Sequence, residues 1–144
     1  MVKRQGFTLV ELVVVVMILG ILAAVAAPKL LGTSGTATDN GLRQTVSVVR
    51  DAIERYAAEH GGKFPGTTDA TFKSELIPYL RGAFPTCPVG TNKNNLVDVV
   101  ATGSPLGVNA GASTGWRYCY GTGEFIVNSA DSDNSAAAAA YNTY

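Results

Sequence analysis

Residues 3–28 read KRQGFTLVELVVVVMILGILAAVAAP, a short basic start followed by a long apolar run that ends at a proline. From Leu12 to Ala27 the run contains no polar side chain. The roughly 21 residues from Phe7 to Ala27 span about 30 Å as a helix, which matches the hydrocarbon core of a bilayer. Because an isolated segment in lipid must satisfy its own backbone hydrogen bonds, we predict a membrane-spanning helix here.

The flanks of the run indicate its orientation. Lys3 and Arg4 precede it and favour a cytoplasmic N-terminus, which places the bulk of the chain on the far side of the membrane. A secretory signal peptide is the alternative, because small residues at 23–27 resemble a cleavage site. The length of the run and an acid near its beginning count against that alternative.

That acid, Glu11, is the informative residue of the run. An ionised carboxylate in lipid costs on the order of 3 kcal/mol, so it indicates a function and needs a partner. The run supplies no basic side chain. A cut between Gly6 and Phe7 would create an α-amino group four positions before Glu11. That amine could neutralise the carboxylate of its own chain or of a neighbouring copy.

These residues resemble the cleavage and methylation motif of type IV prepilins and type II secretion pseudopilins. The shared elements are a basic leader, Gly6, then Phe7-Thr8-Leu9-Val10-Glu11 and an apolar run ending at Pro28. The resemblance implies that a membrane-embedded prepilin peptidase cuts after Gly6 and methylates the Phe7 amine. It also implies that Glu11 pairs with the Phe7 amine of an adjacent subunit during assembly.

The resemblance further implies a homo-oligomeric helical filament that includes other pseudopilins. A platform protein in the inner membrane and its cytoplasmic ATPase would drive assembly, and the head would lie in the periplasm or outside the cell. The small head favours a pseudopilin of a type II secretion-like system. The alternatives are a type IV pilus subunit for adhesion, motility or DNA uptake, and a monomeric single-pass anchored binding module.

The sequence divides into five predicted segments: a leader (1–6), a membrane and filament-core helix (7–28), an amphipathic continuation (29–62), a globular head (63–128) and a flexible tail (129–144). Pro28 and the glycines after it weaken the helix, and a plain linker at 28–41 is the alternative. The continuation carries an apolar stripe at helical spacing, formed by Leu42, Val46, Val49, Ile53, Tyr56 and His60.

The head is predicted to combine one short helix with a few strands. The helix runs from Asp69 towards Leu80, and a brief strand covers residues 96–100. Residues 116–120 and 124–127 form a β-hairpin through a glycine turn. Together with the resemblance, this predicts an α+β, pilin-like fold in which a long N-terminal helix packs on a small antiparallel sheet.

Two features of the head and tail concern cross-links and metals. Cys87 and Cys119 lie outside the cytoplasm in this topology, so a disulfide is expected, with two free thiols as the alternative. The resemblance raises calcium, which major pseudopilins commonly hold in an acidic C-terminal loop. Asp131 and Asp133 are weak candidates, because Ala136 and Asn142 depart from the calcium-hand pattern. No cofactor is assigned.

Composition excludes other classes of function. The chain has 11 basic and 11 acidic residues and a formal net charge of zero, so no nucleic-acid partner is expected. A single histidine and two distant cysteines argue against a structural zinc site. Phosphate-loop and zinc-protease motifs are absent from the sequence. We therefore expect a structural protein and not an enzyme.

Overall fold

The structure is a computed structural model that describes residues 6–135 and 137–144, apart from the side chains of 28–34. Its backbone elements are α1 (Leu9–Glu59), α2 (Asp69–Leu76), a 3-10 helix (Ile77–Tyr79), β1 (Val97–Val100), β2 (Trp116–Cys119), β3 (Phe125–Val127) and a second 3-10 helix (Tyr141–Thr143). The chain divides into two compact units, Met1–Gly35 and Thr36–Tyr144.

The first unit contains the apolar part of α1. Its segment Leu9–Ala27 is long and apolar enough to cross a membrane, and every side chain in it is exposed. The predicted apolar N-terminal helix is therefore confirmed. The helix continues through Pro28, so the proline does not end it and the linker alternative does not hold for the backbone.

In the second unit α1 is amphipathic, as the spacing predicts. Leu42, Val46, Val49 and Ile53 are each no more than 1% exposed, while Tyr56 is half-buried and His60 is exposed. Two glycines follow the helix with φ of 65° and 84°. The amide of Gly62 donates to the carbonyl of Ala57 at 2.8 Å, which satisfies one of the free carbonyls at the helix end.

The head sheet has three strands in the order β1-β2-β3. The predicted hairpin is present, since β2 and β3 are antiparallel and Trp116 lies opposite Val127. The expectation of an antiparallel sheet is wrong for β1, which pairs with β2 in parallel, Val97 opposite Trp116. The reason is the long connection at 101–115, which returns the chain to the start of β2 at the end where β1 begins, as a parallel pair requires.

Side chains alternate across this sheet and build two clusters. Trp116, Tyr118, Phe125 and Val127 join the buried stripe of α1 together with Phe72 and Leu76 of α2. Cys119 and Ile126 point to the other face, where Leu106 of the long connection covers them. On that face Arg117 and Asp98, which are opposite each other in the register, form an ion pair at 3.2 Å.

Hydrogen bonds position the aromatic core and α2. The Trp116 Nε1 donates to the carbonyl of Pro85 at 3.0 Å, and the Tyr118 hydroxyl donates to that of Pro65 at 2.9 Å. The N-cap of α2 is Thr68, which immediately precedes the predicted helix start at Asp69. Asp69 instead accepts the amide of Val97 at 2.8 Å, which fixes α2 to the start of β1.

The C-terminal segment differs from the predicted flexible tail at 129–144. Ser132 and Ala140 form an isolated β-bridge, and a 3-10 helix follows. Asp133 and Tyr141 are buried and bond to side chains of α1. The alanine-rich composition suggested a loose tail, but polar residues on either side of the alanines bind the segment to α1.

Replacing Tyr118 by Phe tests the aromatic core. The change leaves the buried Pro65 carbonyl without its donor, so we expect a loss of about 1 to 2 kcal/mol in the free energy of unfolding. Urea unfolding of the full chain in detergent micelles, followed by the fluorescence of Trp116, measures this. Tyr120→Phe, at a half-buried position just after the same strand, is the control and should cost less. Equal losses in the two variants would contradict the assigned role of the Tyr118 hydroxyl.

Candidate functional site

The N-terminus of α1 is capped by the side chains of Thr8 and Glu11, each of which binds the backbone amide of the other. The amide of Glu11 donates to the hydroxyl oxygen of Thr8 at 3.2 Å. In return, Glu11 Oε2 accepts the Thr8 amide at 3.2 Å and the Thr8 hydroxyl at 3.0 Å. This is a capping box, in which the third helical residue satisfies the amide of the N-cap residue.

The box gives Glu11 a partner within its own chain. A carboxylate in the first helical turn is also stabilised by the helix dipole. Both effects lower the cost of an acid in an apolar segment. The Thr-x-x-Glu spacing of residues 8–11 is the sequence signal that could have revealed this box.

The predicted processing residues lie immediately before this cap. Gly6 and Phe7 are exposed, with Phe7 78% exposed, and neither is part of the helix. In the uncut chain the nitrogen of Phe7 is an amide, so its predicted pairing with Glu11 requires cleavage after Gly6. Lys3 and Arg4 of the predicted leader lie outside the described residues, as does the side chain of Pro28.

The two cysteines are not paired in the structure; both are buried free thiols. Cys87 belongs to the cluster on the α1 side of the sheet, and its thiol contacts the carbonyl of Val89 at 3.5 Å. Burial raises the pKa of the Cys87 thiol. Cys119 lies in the cluster on the opposite face. The expected disulfide is therefore absent because the sheet separates the two side chains.

The candidate calcium ligands do not converge. Asp131 is exposed and accepts the hydroxyl of Ser129 at 3.0 Å. Asp133 is buried and accepts the hydroxyl of Ser135 at 2.6 Å and the guanidinium of Arg43 at 2.8 Å. Within the part of the chain that the structure describes, no group of three His, Cys, Asp or Glu side chains could hold a metal ion. Asp131 and Asp133 therefore do not form a carboxylate-rich calcium site.

A polar cluster that sequence reasoning missed joins the C-terminal segment to α1. We call it the C-terminal latch; it consists of Asp39, Arg43, Asp133, Asn134, Tyr141 and Tyr144. Asp39 Oδ2 accepts the Asn134 amide at 2.8 Å, and its Oδ1 accepts the Tyr141 hydroxyl at 2.8 Å. Tyr144 donates its hydroxyl to Asp133, and Arg43 lies 4.2 Å from the centre of the Tyr144 ring.

One signal in the sequence could have revealed the latch. Asp39 is three residues before Leu42, so it continues the apolar stripe by one more helical step, and it is only 4% exposed. An acid on a buried face needs partners, because burying an unpaired charge is costly. Nothing local identifies those partners, which lie about a hundred residues further along the chain.

Both latch carboxylates favour their charged forms. Burial by itself would raise the pKa of Asp39, but hydrogen bonds from Asn134 and Tyr141 outweigh burial and lower it. For Asp133, hydrogen bonds from Ser135 and Tyr144 hold the pKa well below its usual range, and Arg43 lowers it further. Burial and the bond to Asp39 raise the pKa of Tyr141.

Comparisons with known proteins agree on the N-terminal segment and extend into the head. The family model of the prokaryotic N-terminal methylation motif matches residues 1–27. The competence protein ComGC of Halalkalibacterium halodurans is 31% identical over 99 residues, which cover 67% of this chain and 91% of that protein. Prepilin peptidase-dependent protein D of Escherichia coli is 33% identical over 127 residues, covering 81% and 84%.

A third group of relatives matches a shorter part of the chain. The type II secretion system core protein G of Vibrio cholerae is 38% identical over 58 residues, which cover 40% of each protein. Core protein G of Aeromonas hydrophila is 32% identical over 65 residues, covering 45% of each. No solved structure matches the chain significantly.

Acidification is expected to loosen the latch. The pKa values of Asp39 and Asp133 are lower in the folded chain than in the unfolded one. Their stabilisation is therefore present above the unfolded carboxyl range, about pH 4, and is lost as the pH falls towards the folded values. Urea unfolding between neutral pH and about pH 3 should show falling stability.

The contribution of the latch to that pH dependence is measured with Asp133→Asn. This variant should be less stable at neutral pH and should lose less stability on acidification than the natural chain does. Asp131→Asn, which removes an exposed carboxylate two residues away, is the matched control. If the two variants show the same pH dependence, Asp133 does not contribute to it.

Proposed function

This chain belongs to the type IV pilin-like family, and we propose that it is a pseudopilin, a structural subunit of a type II secretion-like filament that polymerises through its N-terminal helix. Pseudopilin function is supported by the small head and by similarity to core protein G from several bacteria. The role is structural, not enzymatic. The single histidine is held at the end of α1, where it stacks on Tyr56 at 3.9 Å.

The observation that carries the proposal is the uncovered apolar segment Leu9–Ala27. None of its side chains is buried within the chain. So much apolar surface requires another apolar medium. Lipid can supply it before assembly, and the same segments of other copies can supply it in the filament core. Because the two media are similarly apolar, helices can move from one to the other at little cost per contact.

Glu11 distinguishes a filament subunit from a simple anchor. An anchor gains nothing from an acid in its apolar segment, which only adds to the cost of insertion. Once the chain is cut after Gly6, the new amine of Phe7 lies at the same end of α1 as the Glu11 carboxylate. The amine of one copy can then displace Thr8 as the partner of Glu11 in the next copy.

The proposed partners follow from this pathway. Prepilin peptidase would cut after Gly6 and methylate Phe7. The platform protein of the inner membrane and its ATPase would supply the work of extraction from lipid. The chain would cross the inner membrane once, with its N-terminus in the cytoplasm and its head in the periplasm or outside the cell. Its filament would contain further copies and other pseudopilins.

A type IV pilus subunit is the second candidate, and one observation favours it. The competence protein and the prepilin peptidase-dependent protein match this chain over 91% and 84% of their own length. Core protein G matches over less than half of its length. Both candidates use the same N-terminal chemistry and differ only in the system that the filament serves.

Processing and assembly are tested at Gly6 and Glu11. Mass spectrometry of the purified natural chain should show a first residue of N-methylated Phe7. Glu11→Leu and Glu11→Gln should both be processed and inserted but should form no filaments, as judged by electron microscopy and cross-linking. Glu54→Gln, an exposed acid of α1 in the head, is the control and should assemble normally.

The two Glu11 variants separate charge pairing from helix capping. Gln can still complete a capping box, whereas Leu cannot. Normal filaments from Glu11→Gln would show that only the cap matters and would contradict pairing with the Phe7 amine. A natural chain that begins at Met1, or after Ala27, would contradict processing itself.

The choice between the two systems is tested by deleting the gene. Loss of a pseudopilin should leave exported proteins trapped in the periplasm, measured as the fraction of secreted activity in the medium. Surface fibres and transformation should then remain. Loss of fibres or of transformation with normal secretion would favour the pilus instead.

A further inference from the structure

The C-terminal segment is held against α1 by an ion pair between Arg43 and Asp133. We propose that the guanidinium of Arg43 takes the place of a bound metal ion in the C-terminal latch, so that the fold of this head does not depend on calcium. The inference concerns the head itself and does not require that the chain polymerise.

The first step is that a cation is needed where the segment meets α1. Asp39 and Asp133 are both buried, at 4% and 7% exposure, and their charges repel each other. Asp39 accepts hydrogen bonds from Asn134 and Tyr141, which carry no charge and so do not cancel its own. A buried pair of like charges is unfavourable unless a positive charge lies next to it.

The second step is that Arg43 meets this need. Its Nη2 lies 2.8 Å from Asp133 Oδ2 and 3.0 Å from the Tyr144 hydroxyl. The Asp133 side chain is fully buried, whereas that of Arg43 remains 51% exposed. The guanidinium therefore neutralises the buried acid from the surface side and keeps part of its own hydration, which lowers the cost of the pair.

The third step is that the carboxylate oxygens a metal ion would bind already accept hydrogen bonds. Asp133 Oδ1 accepts the amide and hydroxyl of Ser135, and its Oδ2 is shared by Arg43 and Tyr144. Both oxygens of Asp39 are also occupied. Calcium takes six to eight oxygen ligands, and Asp131 Oδ2 accepts the hydroxyl of Ser129.

The test compares calcium and chelator on the full natural chain in detergent micelles. Hydrogen exchange of residues 129–144, read by mass spectrometry, should be the same in millimolar calcium chloride and in EDTA, and so should the thermal midpoint. Slower exchange or a higher midpoint with calcium, absent with magnesium, would overturn the proposal.

The Arg43 variants test the internal cation directly. Arg43→Gln should speed exchange in residues 132–144 by about tenfold, since a hydrogen-bonded charge partner of Asp133 is lost. Arg43→Lys keeps the charge and should restore most of the protection. Arg81→Gln removes an exposed cation of the head and should leave exchange unchanged.

Exchange in Arg43→Gln equal to that of the natural chain would overturn the proposal. If Arg43→Gln fails to fold, Arg43→Lys and the calcium comparison on the natural chain still decide it. Loss of filaments in any of these variants would concern the proposed function and would not enter this test.

Discussion

The structure depends on one constraint: the apolar segment Leu9–Ala27 has no cover within its own chain. A soluble helix buries one apolar stripe, whereas this segment is apolar on every side from Leu12 to Ala27, which is typical of a helix surrounded by lipid or by other helices. The main free-energy cost of placing this segment in an apolar medium then comes from the polar atoms at its start. The Thr8–Glu11 box satisfies them within the chain, and Glu11 remains exposed at the helix end.

In the second unit, by contrast, the apolar side chains of α1 are buried. From Leu42 onward the helix presents a single apolar stripe, and Trp116 and Tyr118 of β2 join the cluster that buries it. The second face of the sheet would remain bare, but the connection at 101–115 brings Leu106 over Cys119 and Ile126. A three-stranded sheet is thus covered on both faces by about a hundred residues of chain.

Local patterns predicted the local structure well. The stripe of α1 and the hairpin follow from periods of 3.6 and 2 residues, and both are present. The parallel pairing of β1 could not be predicted, because it depends on where the long connection leads. Strand alternation in the sequence already turns Cys119 away from the side of the sheet that Tyr118 faces. The position of Cys87 on the α1 side depends on the path of its loop, so the separation of the two cysteines could not be predicted.

In the C-terminal segment, composition is a poor guide to how the chain is held. Its alanines suggest a loose tail, yet attachment depends on a few polar residues whose partners, Asp39 and Arg43, are distant in sequence. Compared with an apolar contact of similar size, such a latch gains little, because desolvating the charges offsets much of their attraction, but removing one partner leaves a buried charge unpaired and is costly. Its contribution is specificity. The two oxygens of Asp39 bind two different parts of the segment, so a shift of the segment along α1 would leave a buried carboxylate unsatisfied. A disulfide would fix only one point, whereas this arrangement fixes the register of the whole segment.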